Sequence, residues 1–174
     1  LDPSDSTAQQ WYSEFLGRMG RVRDAEVPIQ RALALDPLSP VINLSAALTV
    51  IGSRLDRDKA LELARRAASL GEVPRFRDGL MLVNLSAGDA RAARAYAPDG
   101  SLEAAVLDAI IDPARKDAAM ARLESAAAGS RRVDNLLQSQ TTSYIYLGEI
   151  DKAHEAARRS IDDRSIFPAD FLAL

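Results

Sequence analysis

The sequence predicts an all-α fold of stacked antiparallel helix hairpins, and three observations predict it. Its apolar residues are dominated by Ala and Leu, with aromatics at only 5%. Ala has the best helix propensity, and small side chains let helix backbones approach. Runs of Val, Ile and Thr with a period of two, the mark of strands, are absent. The tripeptide Leu1-Asp2-Pro3 recurs as Leu35-Asp36-Pro37, 34 residues on, and the stretch between reads as two helices joined by a turn. A chain of 174 residues is long enough for one core or for a short array of such units.

The first hairpin spans about 6–38. Its first helix carries Trp11, Tyr12, Phe15, Leu16 and Met19 as its apolar set, at mixed spacings of three and four. Gly20 closes it, because a residue without Cβ takes the left-handed cap conformation cheaply. The second helix has Val22, Ala25, Ile29, Ala32 and Leu33 on one side and Arg23, Asp24, Glu26, Gln30 and Arg31 on the other. Asp36-Pro37 ends it, since proline disfavours helix at the residue before it. Pro28 inside this helix implies either a kink or a late start.

The second hairpin, about 39–74, has Ala46 and Ala47 in its first helix and Ala60, Ala64 and Ala67 in its second, with Pro74 as a displaced closing proline. The third, 75–100, is degenerate. Its first helix covers about 78–87 with Asn84 interrupting an apolar run, Gly88-Asp89 turns, and a short helix from Ala90 to Ala97 is stopped by Pro98-Asp99-Gly100. The fourth, 101–129, is also degenerate. Ser101 is its N-cap, Asp112-Pro113 starts its second helix, and Met120 and Leu123 are expected to meet Leu102, Val106, Ile110 or Ile111. The fifth, 131–164, is clear again, with Tyr144, the Leu147-Gly148 turn, Ala153 and Ser160. The apolar segment 165–174 is expected to cap the end of the array, for about ten helices in a single domain.

Ser13, Leu16, Gly20, Ala25, Ala32 and Pro37, at these spacings in a 34-residue unit, resemble the tetratricopeptide repeat, or TPR. Ala60, Ala67, Tyr144, Leu147, Gly148 and Ala153 carry the resemblance into the second and fifth units. It implies an α-solenoid, a right-handed superhelix whose hairpins turn slightly from one to the next and leave a concave face lined by the first helices. On that reading Gln10, Glu14, Arg18, Ser45, Thr49, Gln138, Thr142 and Tyr146 point into the groove. They are polar and mixed, which suits an extended peptide held by hydrogen bonds. The Lys-bearing clamp by which some TPR domains hold acidic C-terminal tails is not implied, because the first helices lack those Lys residues. Trp11 reads either as packing against a preceding repeat or as a ligand anchor.

Chemistry is hard to find. The single histidine, His154, has Arg158 four residues on, where a zinc-protease helix would need a second histidine. Neither a nucleophile elbow, a phosphate loop nor a dinucleotide fingerprint is present. Asp56 with Asp58, and Asp162-Asp163, read as charge on solvated surface. No catalytic residue, metal site or cofactor is therefore expected. The absence of cysteine excludes disulfides and thiolate chemistry. Charges are interspersed at a net −3, and Arg131-Arg132 and Arg158-Arg159 are short pairs, so direct nucleic-acid contact is not expected. No apolar run approaches the roughly 20 residues that span a bilayer.

QQWYSEFLGRMGR, RALALDPLSPVIN and GEIDKAHEAARRSIDDRS are similar to the C-terminal TPR regions of bacterial multidomain regulators, the CadC-type winged-helix regulators and the TPR-bearing adenylate cyclases. That implies a sensing or binding module in the bacterial cytoplasm, or in the periplasm behind a transmembrane segment. The chain starts without Met and at a repeat's closing tripeptide, so it reads as a fragment of a longer protein. The expected role is protein or peptide binding without enzymatic activity. The alternatives are a small-molecule sensor, with a pocket in the irregular unit between Asp78 and Gly100, and a self-association element through Ile166–Leu174.

Overall fold

In the computed structural model the described residues are 4–54, 56–71, 73–127 and 140–162. Among them are ten α-helices and one 3-10 turn, with no strand. The chain divides into two units, 1–93 and 94–174. The Leu1-Asp2-Pro3 tripeptide, Gln138, Arg131-Arg132 and the 165–174 cap all lie outside the described residues.

The first unit holds α1 (Ser6–Arg18), α2 (Glu26–Leu35), α3 (Pro40–Arg54), α4 (Arg57–Leu70) and α5 (Val73–Ser86), and the boundary falls within α6 (Ala90–Arg94). Asp5 starts α1 by accepting from the backbone N–H groups of Thr7 and Ala8, which satisfies two donors that the first turn leaves orphaned. Asp56, expected as bare surface charge, does the same for α4 through the N–H of Lys59. Hairpin one is α1 against α2, hairpin two is α3 against α4, and α3 packs on both α1 and α2. Ala25, Ala32, Ala46, Ala47, Ala60 and Ala67 are at most 1% exposed, so the small residues do sit where helices approach closely.

For α2 one of the two expected outcomes holds, and for α5 the expectation is overturned. Helix α2 starts late, at Glu26, so Pro28 stands in its first turn, where its missing N–H breaks no intrahelical bond and no kink follows. Pro74 does not close the second hairpin. Helix α5 begins at Val73 and takes Pro74 into its own first turn, which also lengthens it beyond the expected 78–87. Helix α6 is shorter than expected and stops at Arg94. Asn84, buried in α5, is accommodated by donating its side-chain amide to the Leu80 carbonyl at 2.7 Å.

Three hairpin turns share one geometry. Gly20, Gly88 and Gly148 have φ of 73°, 86° and 76°, a region that costs a residue with Cβ about 1 kcal/mol. At each, two backbone bonds close the helix, such as Gly20 N–H to the Gly17 carbonyl and Arg21 N–H to the Leu16 carbonyl. Gly79 is glycine for another reason. A Cβ there would stand 2.7 Å from Leu44 Cδ2, so the Leu44 side chain would have to give way for α5 to keep its place on α3. Gly→Ala in a helix ordinarily stabilises by about 0.5–1 kcal/mol. Gly79→Ala is expected to reverse that sign and destabilise by about 1 kcal/mol or somewhat more in urea unfolding. A gain in stability would contradict the close packing of α5 on α3.

The second unit holds α7 (Leu102–Ile111), the 3-10 turn Pro113–Arg115, α8 (Lys116–Ala127), α9 (Gln140–Tyr146) and α10 (Ile150–Asp162). Ser101 caps α7 by accepting from Ala104 N–H, and Asp112 caps the 3-10 turn by accepting from Ala114 N–H. The core joins all four helices through Val106, Met120, Leu123, Tyr144, Leu147 and Ala153, with Leu102 and Ile110 packed against it. Burial pushes the Tyr144 hydroxyl pKa up, aided by the nearby Glu124 carboxylate. Lys116 bonds Glu149 at 2.5 Å and holds its carboxyl below the ordinary glutamate range. No helix among the described residues is long and apolar enough to cross a membrane.

Candidate functional site

Helix α1 presents three strips. One turn is 3.6 residues, so Gln9, Ser13 and Leu16 share the inner strip, and all three are buried. Gln10, Glu14 and Arg18 form a polar strip. Trp11, Tyr12, Phe15 and Met19 form the third. The expected apolar set is thereby corrected: only Leu16 of the five is buried, and the other four are exposed. The set falls within about 140° of the helix circumference, and among the described residues only its Leu16 edge is covered.

The polar strip meets α3. Glu14 accepts from Gln10 Nε2 at 2.7 Å and from Ser45 Oγ at 2.7 Å, and Gln10 Nε2 also reaches Ser45 Oγ at 3.3 Å. Thr49 Oγ1 donates to the Ser45 carbonyl and lies 3.5 Å from Ser13 Oγ, which itself donates to the Ala25 carbonyl at 2.8 Å. Four of the eight expected groove residues, Gln10, Glu14, Ser45 and Thr49, thus come together on the first helices of consecutive hairpins. They bond chiefly to one another. Gln10 and Ser45 are buried, while Glu14 and Thr49 are half-buried and reach solvent. Arg18, one turn beyond Glu14, is exposed and has no hydrogen bond or ion pair among the described residues.

The remaining expected residues lie in the second unit. Tyr146 is half-buried. Thr142 is fully buried, its hydroxyl without a hydrogen-bond partner among the described residues, so its side chain presents no surface. His154 is exposed, and among the described residues no three His, Asp or Glu side chains gather as metal ligands would.

The second unit also has a cleft of about 340 Å³ that sequence reasoning missed. Its floor is alanine (Ala104, Ala105, Ala118 and Ala119), and its rim carries Arg94, Arg115 and Arg122. Arg94 is committed: Nε bonds Asp108 at 2.8 Å and a terminal nitrogen bonds Asp99 at 3.0 Å, and these bonds raise its pKa further. Arg122 donates to the Gly100 carbonyl at 2.7 Å. The seven-residue spacing of Arg115 and Arg122 was the one available signal. It places the two on one side of the segment, but says nothing of the loop that faces them.

No family model matches the chain, and no curated protein matches it. Among solved structures it is similar to YrrB, described as "a TPR protein with an unusual peptide-binding site", at 14% identity and a TM-score of 0.53, covering 99% of this chain and 93% of that one. Its helix order, its repeated glycine turns and this likeness together make the chain's fold TPR-like, an all-α solenoid of antiparallel helix hairpins.

Proposed function

We propose that this protein is a non-enzymatic TPR-like module that binds a protein or peptide along the first helices of its hairpins. It would serve as the interaction or sensory part of a bacterial multidomain regulator. The observation that carries this reading is the α1–α3 surface, where the half-buried Glu14 and Thr49 meet solvent beside the unpartnered Arg18. A surface already fixed by its own hydrogen bonds loses little freedom on binding. Arg18 supplies a planar donor for a carboxylate or carbonyl of an extended peptide. The likeness to a peptide-binding TPR protein supports the same role.

The test is a selection of displayed random peptides on the 174-residue chain, followed by fluorescence anisotropy on those enriched. Arg18→Glu is expected to weaken the selected peptides about tenfold or more, since a charge-assisted hydrogen bond is worth roughly 1.5–3 kcal/mol. No enrichment, or enriched peptides indifferent to Arg18→Glu and Thr49→Arg, would remove the proposal.

A further inference from the structure

The alanine-floored cleft is lined entirely by residues of the second unit. At about 340 Å³ it stands at the lower end of the roughly 300–1,000 Å³ usual for small-molecule sites, which pair apolar walls with a few fixed polar groups. Ala104 and Ala105 of α7 and Ala118 and Ala119 of α8 give it a floor from which nothing larger than a methyl projects.

The loop after α6 reaches the cleft at Gly100, and that loop is pinned. Arg94 donates to the Ala97 carbonyl at 3.2 Å and to the carboxylates of Asp99 and Asp108. Arg122 donates from α8 to the Gly100 carbonyl at 2.7 Å. The cleft is therefore shaped before any ligand arrives, which lowers the ordering cost of binding.

Its three cations are unequally answered. Arg94 holds two carboxylates. Arg115 faces Asp108 and Asp112 at 3.6 Å each, too far for hydrogen bonds, and such exposed pairs are worth little. Arg122 has no acidic partner among the described residues. Of its five N–H donors one is engaged there, by an uncharged carbonyl.

We propose that this cleft binds a small organic monocarboxylate with a flat apolar body. The carboxylate pairs with Arg122, whose planar donors match its two oxygens. The body lies on the alanine floor, where methyls leave room for a ring, and the Arg115 guanidinium can stack over it. A dianion fits worse, because the Asp108 carboxylate shares the lining. The site does not depend on the α1–α3 surface.

The test is an NMR titration of the backbone amides of the 174-residue chain at constant ionic strength. Benzoate and 3-phenylpropionate are expected to bind with a Kd of about 1 mM, ordinary for ligands so small, and to shift the amides of Ala104, Ala105, Ala118 and Ala119. Acetate lacks the body, benzyl alcohol lacks the charge, and inorganic phosphate lacks the shape, so each should bind about tenfold more weakly or less. Arg122→Gln should weaken the aromatic acids about tenfold. Ala118→Leu, at an exposed position, should fill the floor and abolish binding with the helical circular dichroism spectrum unchanged. Arg18→Glu should leave this site untouched, so its failure and that of the peptide surface are read separately. If neither aromatic acid shifts those amides by about 10 mM, the proposal is overturned. Binding that survives Ala118→Leu, or phosphate as tight as benzoate, would overturn it too, leaving only a patch of positive charge. An N-acetylated peptide acid that binds more tightly than 3-phenylpropionate would make the ligand a chain end and refute the small-molecule assignment.

Discussion

Truncating Leu123 to alanine is expected to lower the stability of the second unit by about 2–5 kcal/mol, the range for emptying a buried leucine site. Leu123 is fully buried on α8, in the cluster that joins α7, α8, α9 and α10. The cluster's Val106, Tyr144 and Ala153 come from α7, α9 and α10, three helices besides α8, so the cavity could not be closed by one side chain turning over. The measurement is urea unfolding followed by circular dichroism. Trp11, the sole tryptophan, lies in the first unit and reports there. A transition seen by circular dichroism and missing from tryptophan fluorescence would therefore belong to the second unit. Leu38→Ala is the control, at a leucine 65% exposed, and should stay within about 0.5 kcal/mol. If the two substitutions cost the same, the described core is wrong.

Removing the Glu14 carboxylate should have the next largest effect. Glu14→Ala leaves the Ser45 hydroxyl without its acceptor and Gln10 without its nearer one, both in buried positions. A buried polar group left unpaired costs about 1–3 kcal/mol. Glu14→Gln keeps an acceptor oxygen in nearly the same place and should cost clearly less. Arg18→Glu, on the same strip, should leave stability almost unchanged. This contrast separates the two halves of the strip: Gln10, Glu14 and Ser45 hold α1 to α3, and Arg18 remains for a ligand. An Arg18 variant as destabilised as Glu14→Ala would refute that division.

Much of the fold was legible because the TPR-like signals are local. A glycine after an apolar turn announces a left-handed cap, and Gly20, Gly88 and Gly148 all take it. Alanines at spacings of seven announce helix approach, and Ala25 with Ala32, and Ala60 with Ala67, are buried accordingly. Ser101 and Asp112-Pro113 start elements as their chemistry requires.

What escaped depends on neighbours. Trp11, Phe15 and Met19 look the same in sequence whether a helix covers them or not. Pro28 and Pro74 each suit the first turn of a helix as well as a break, and only the placement of α2 and α5 decides. The Glu14–Ser45 bond joins residues 31 apart, and the need for it appears only once α1 and α3 lie side by side. Thr142 has the position of a groove residue in its helix, yet α9 is wrapped so closely that Thr141, Thr142 and Ser143 are all buried.

The bond between the first two hairpins is directional, and that governs how they can yield under load. Apolar contacts tolerate sliding, because one methyl replaces another with little penalty. The Glu14–Ser45 and Gln10–Ser45 bonds do not, since their distances hold in a single alignment of α1 with α3. A shift of one helical turn, about 5.4 Å, would break both and leave only the bonds within each helix, Gln10 to Glu14 and Thr49 to the Ser45 carbonyl. Load along the helix axes would therefore meet its directional resistance at Ser45, where both crossing bonds end.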